Sequence, residues 1–142
     1  MIVSTKLKEL NFGAYYCFVF TKAAIQHLRL RFSLLLMPVF LLSIWGLQNI
    51  VDTSISSRFG FKLEVLIGFI VWHLFIYPAS NAYNSYQDQD KGSIGDVKKP
   101  LLADKSVFYT SILFNLTGLL LALFIGKSFC VLVLIYVVMS QL

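Results

Sequence analysis

The sequence predicts an all-α membrane protein. Three complete transmembrane helices and part of a fourth follow an amphipathic N-terminal segment, as one incomplete transmembrane domain over residues 1–142. Three observations predict it. Of the residues, 58% are hydrophobic and 13% charged, against about 25% charged in an ordinary soluble domain. Mean hydropathy is +0.76. Uncharged runs reach the ~20 residues that a helix needs to cross a bilayer core.

Residues 1–31 read as an interfacial segment. Lys6, Lys8 and Glu9 precede an aromatic patch from Phe12 to Phe20. Ala24, Ile25, Leu28 and Phe32 then follow a helical stripe, with Lys22, Gln26, His27 and Arg29 elsewhere around the helix. Such a helix suits the headgroup region, apolar side toward the lipid. Residues 32–51 carry no charge and form the first predicted span. Pro38, in its first third, is a predicted kink, because proline lacks an N–H and its ring crowds the preceding turn. Residues 52–60 are a polar turn. The second predicted span, residues 61–83, carries Glu64 near its start and His73 inside. His73, between Trp72 and Leu74, is expected to be packed and hydrogen-bonded rather than a ligand, and Trp72 and Tyr77 to be packing or interface aromatics.

A polar loop, residues 88–106, leads to the third predicted span, residues 107–125. Gly126, Lys127 and Ser128 form a predicted tight turn, and residues 129–142 begin a partial span. At 1.5 Å per residue this last segment reaches roughly 21 Å, short of the ~30 Å core.

The formal charge is +5 and the isoelectric point about 9.3. No basic-aromatic motif accompanies that charge, so no nucleic-acid partner is expected; the bilayer itself, with its anionic headgroups, is the expected partner of these cations. If the spans alternate, Lys6, Lys8, Lys22, Arg29, Arg31, Lys91, Lys98, Lys99 and Lys105 share one side, against Arg58, Lys62 and Lys127 on the other. The positive-inside rule then predicts a multi-pass protein whose N-terminus and 88–106 loop are cytoplasmic. Cys17 and Cys130 lie far apart without metal-ligand spacing and read as small buried hydrophobes. No secretory signal peptide is expected at the N-terminus.

The loop and the end of the helix before it carry the chemistry. Asp88, Asp90, Asp96 and Asp104 are four of the chain's seven acidic residues, interleaved with Lys91, Lys98, Lys99 and Lys105. If the second span continues helically through Gln87, Asn84 and Asp88 lie one turn apart on one face, with Tyr77 and Asn81 behind them. Carboxylates and an amide oxygen within a turn can hold a hard cation, and Mg²⁺ typically takes one or two carboxylates plus waters and substrate phosphates. An EF-hand starting at Asp88 fails, since it needs glycine where Ser93 stands and glutamate where Lys99 stands. Mutual neutralisation of four carboxylates and four lysines in a solvated loop is the competing reading.

Asn84-Ser-Tyr-Gln-Asp88-Gln-Asp90-Lys-Gly-Ser-Ile-Gly after a spanning helix resembles the first aspartate-rich motif of the UbiA family of intramembrane prenyltransferases. His27-Leu-Arg29-Leu-Arg31-Phe-Ser resembles the approach to that family's first helix, and Lys98-Lys99-Pro100-Leu101 sits where members often have Arg-Pro-Leu. The resemblance implies a partial helical bundle that binds an isoprenyl diphosphate through Mg²⁺ and transfers the prenyl group to an aromatic or other lipophilic acceptor. By the same resemblance Asn84, Asp88 and Asp90 hold the Mg²⁺–diphosphate, and Lys91, Lys98 and Lys99 bind the diphosphate. The family pattern has aspartates where Ser85 and Gly92 stand, and a second aspartate-rich motif for which residues 105–142 offer no carboxylate. A partner chain that completes the bundle, or a truncated, non-catalytic half-bundle that binds diphosphate, lipid or a partner, is therefore also expected.

Overall fold

The computed structural model describes residues 20–50, 58–89, 92–94 and 97–142, and all its regular elements are helices. Two short helices, α1 (Lys22–Leu28) and α2 (Leu30–Leu34), precede α3 (Met37–Ile50). A long rod follows, built from α4 (Arg58–Phe69), a π-helical segment (Ile70–Ile76) and α5 (Tyr77–Asp88). The chain ends with α6 (Lys105–Ile125) and α7 (Lys127–Met139).

Two of these are long and apolar enough to cross a membrane: the 26-residue stretch Leu63–Asp88 and the 21-residue α6. The bent pair Lys22–Leu34 and Met37–Gly46 passes the same test together, with a 41° bend. The second span is thus longer than residues 61–83: the helix runs on to Asp88, because Ala79, Ala82 and Ser85 continue its buried face against its neighbours. The third begins at Lys105, where Asp104 caps the helix N-terminus by accepting from Ser106 N–H at 2.9 Å, which satisfies a donor that lacks an intrahelical partner. Gly126 makes the turn between α6 and α7 at φ +156°, a conformation that favours glycine.

The N-terminal region differs most from the expectation. Residues 1–19, and with them the aromatic patch as far as Val19, lie outside the described residues. From Lys22 the chain packs into the bundle, against α5 and α6. The face that α1 buries is Ala23, Ala24, His27 and Leu28, whereas Ile25 is 55% and Phe32 46% exposed. The stripe already splits within α1, at Ile25, and the left-handed Arg29 (φ 47°) then ends α1 and starts α2 in a new direction. The first span is also interrupted: α2 stops at Leu34 and α3 starts at Met37. Pro38 cannot donate to Leu34, and the turn closes instead with Leu35 N–H to Phe32 and Leu36 N–H to Ser33.

The core forms in two parts. Near the loop end, Ala23, Leu28, Ala82, Ala103 and Val107 pack with Tyr86 and Phe114 against them. Deeper, Val71, Ile76, Ala122, Val133 and Val137 pack with Trp72, Phe129 and Tyr136 around them. Gly118 of α6 lets the π segment approach closely, since a Cβ there would lie 2.6 Å from Ile76 Cδ1. Trp72 and Tyr77 are packing residues, with ring centroids 5.0 and 5.8 Å from Tyr136.

Candidate functional site

The end of α5 sets the geometry. The chain is helical through Asp88, so Asn84 and Asp88 lie one turn apart on one face, and both are exposed. Neither side chain makes a hydrogen bond to another described residue. Gln89 ends the helix in a left-handed conformation (φ 51°), and its side-chain amide donates to the carbonyls of Tyr86 at 2.7 Å and Ala103 at 3.4 Å. That amide ties the helix end to the segment that leads into α6.

Asp90 and Lys91 lie outside the described residues. Beyond them Ile94 and Val97 exchange both backbone hydrogen bonds, at 3.0 and 2.8 Å, with Ile94 buried. Lys98 and Lys99 follow on the outside of the loop, exposed and without a hydrogen bond or ion pair to another described residue. Asp104 is occupied as the cap of α6 and belongs to the scaffold.

Ser85 lies at the position where the resembling motif carries an aspartate. It is fully buried and accepts from Arg29 Nη2 at 2.8 Å. One residue along a helix is a rotation of about 100°, so Ser85 turns inward while Asn84 and Asp88 turn outward. The serine therefore takes no side chain from the outward face. Its role is to anchor Arg29, placing a guanidinium beside the helix that carries Asn84 and Asp88.

Behind these residues runs a polar track. Asn81 Nδ2 donates to Ser33 Oγ at 3.3 Å, and Ser33 O accepts from His73 Nδ1 at 2.8 Å. His73 is 1% exposed and contacts the Phe40, Phe69 and Tyr77 rings. A carbonyl acceptor at Nδ1 makes that nitrogen the protonated one. His73 is thus a packed, hydrogen-bonded histidine, as its setting in the sequence predicts.

The residues that sequence reasoning missed are those of α1. Gln26 Oε1 accepts from Leu101 N–H at 3.0 Å, and His27 Nε2 donates to Leu101 O at 2.8 Å. Thr21 and Ser106 are hydrogen-bonded through their hydroxyls, and Ser106 Oγ donates to Asp104. A hydroxyl has one proton, so Thr21 donates to Ser106 while accepting from Ala24 N–H. The caps of α1 and α6 are therefore one chain of hydrogen bonds. These contacts bring the segment before the first span and the 88–106 loop to one end of the helices. The available signal was the polar group Gln26, His27 and Arg29 beside the apolar residues of α1.

Among the described residues, no three His, Cys, Asp or Glu side chains gather as a metal group. The amide of Asn84 and the carboxylate of Asp88 are compatible with Mg²⁺, which completes its shell with water and phosphate oxygens. In comparisons with models of protein families, with curated proteins and with solved structures, nothing matches this chain.

Proposed function

We infer that the outer end of α5 is a Mg²⁺–diphosphate site and that the chain is part of a UbiA-like prenyltransferase. The observation that supports it is the pair Asn84 and Asp88, solvent-facing and one turn apart at the end of a long apolar helix. Two chemical needs meet there: oxygen ligands for the metal and an apolar surface beside them for the isoprenoid tail. In this reading Asp88 and Asn84 hold the metal, with Asp90 as a second carboxylate. Lys91, Lys98 and Lys99 hold the diphosphate oxygens, as point charges suit phosphate. Mg²⁺, when bound, supplies the positive charge that stabilises the leaving diphosphate.

The reaction breaks the bond between the prenyl C1 and the diphosphate oxygen. A bond from C1 to the acceptor replaces it, inorganic pyrophosphate departs and the acceptor loses a proton. The chain is read as multi-pass in the bilayer, with the N-terminus and the 88–106 loop in the cytoplasm by the positive-inside rule. The acceptor is lipophilic, and a partner chain or a further helical segment completes the cavity.

A second reading is a half-bundle that binds diphosphate, lipid or a partner without turnover. It is favoured by the lack of any carboxylate in residues 105–142 to oppose Asp88, since catalysis needs groups fixed on both sides of the reacting atoms. The test is titration of the purified protein in detergent with geranylgeranyl diphosphate, with and without Mg²⁺. Binding should need Mg²⁺ and be lost in Asp88→Asn; binding that survives either change removes the site. Pyrophosphate release on adding an aromatic acceptor separates the enzyme from the half-bundle.

A further inference from the structure

Helix α1 and the Arg29 that ends it pack against α5 and α6 and are bonded to both borders of the basic loop. On one border Arg29 Nη2 donates to Ser85 of α5 at 2.8 Å. On the other, Gln26 and His27 grip the backbone of Leu101 from both sides, at 3.0 and 2.8 Å. Leu101 itself turns its side chain out and is 46% exposed, so the grip is on its peptide groups and not on its apolar surface. His27 is fully buried. A buried histidine that merely filled space could be any apolar residue; one whose ring proton is spent on a loop carbonyl fixes the loop.

Leu101 is separated from the exposed Lys98 and Lys99 only by Pro100, whose ring restricts both its own φ and the conformation of Lys99. A fixed Leu101 next to a stiff Pro100 therefore restricts Lys99, and Lys98 lies between Lys99 and Val97, whose peptide groups are bonded to Ile94. On the inner side the loop is held by the paired peptides of Ile94 and Val97. The lysines stand between two anchored points although their own side chains are bonded to no described residue.

We propose that α1 is a strap that pre-organises the diphosphate-binding lysines, with Gln26 and His27 as positioning residues for Lys98 and Lys99. This rests on the diphosphate reading given above. Pre-organisation acts through affinity, because a loop already in its bound shape loses less conformational freedom when the anion arrives.

The test uses the full chain in detergent and three variants. His27→Leu keeps the bulk and removes the donor; His27→Gln keeps a donor near the position of Nε2; Gln26→Leu removes the acceptor. Two quantities are read: hydrogen exchange of the peptide containing Leu101, and binding of inorganic pyrophosphate with Mg²⁺. His27→Leu should speed exchange at the Leu101 amide, which is bonded to Gln26 and not to His27. It should also weaken pyrophosphate binding about fivefold, the worth of one neutral hydrogen bond. Gln26→Leu should weaken binding similarly, and His27→Gln should restore both quantities toward the unaltered protein. Equal exchange and binding in the unaltered protein and in His27→Leu overturn the strap while leaving the site intact. Failure of His27→Gln to rescue a folded, helical protein reduces His27 to packing and also overturns it. No Mg²⁺-dependent binding of pyrophosphate by the unaltered protein overturns the diphosphate reading and the strap with it.

Discussion

Pro38 and Pro78 present the same local problem, and the chain solves it in two ways. Each removes an N–H from an apolar helix and puts a ring against the carbonyl four residues earlier. At Pro38 the helix breaks: two turn residues separate α2 from α3, and the axis bends by 41°. At Pro78 the helix continues, widened into π turns over Ile70–Ile76, with Tyr77 N–H reaching back to Trp72 O. Surroundings account for the difference. Leu35, Leu36, Met37 and Val39 are exposed around the break, so little packing is lost when the axis turns there. Val71, His73, Ile76 and Pro78 are buried, and Ile76 lies against Gly118 of α6. A break at Pro78 would pull these out of the core, whereas a widened turn keeps them in place. Widened turns of this kind recur at functional sites, and this one leads directly into the helix that carries Asn84 and Asp88.

That comparison can be broken at its strongest point first. Gly118→Val puts a branched side chain where even a Cβ meets Ile76 at 2.6 Å and Phe75 Cβ at 3.2 Å. Overpacking of this kind costs about 1–3 kcal/mol, and the gain in helix propensity over glycine is smaller. Thermal unfolding in detergent should therefore show a lower midpoint. An unchanged midpoint would mean that close approach to α6 does not hold the π segment. His73→Leu should cost less, about 1 kcal/mol, because Ser33 O loses one of two donors and keeps Leu36 N–H. A loss of several kcal/mol there would make the histidine, and not the packing against α6, the main support of the π segment.

Pro38→Ala should have the smallest effect on stability, within about 0.5 kcal/mol for an exposed position. Its readout is shape: the distance between spin labels on α1 and α3 should lengthen as the 41° bend relaxes. A bend that persists would assign the break to the His73–Ser33 bond.

Much of the helical layout was legible because it depends on composition. Three apolar stretches separated by polar turns read directly as helices, and Gly126 marked a turn by its own chemistry. The paired positions of Asn84 and Asp88 followed from helical spacing alone, once the helix was allowed to continue past Tyr83. The π segment was not legible, since residues 70–76 read as an ordinary apolar helix and only the approach of Gly118 and the burial of Pro78 select the wider turn. Nor was the role of α1. Its stripe placed Ala24 and Leu28 with Ile25 and Phe32 on one lipid-facing side, but Ala24 and Leu28 are buried against α5 and α6 while Ile25 and Phe32 are exposed.

What the sequence determined by itself, then, is which segments are helical and apolar and which residues bear oxygen and charge at the end of the second span; these are properties of neighbours in the chain. Only the tertiary structure decided that Ser85 turns inward to Arg29, that His27 holds the loop at Leu101 and that one proline breaks its helix while the other does not. Each of these depends on a hydrogen bond or a close contact between residues dozens of positions apart, and local periodicity carries no record of such partners.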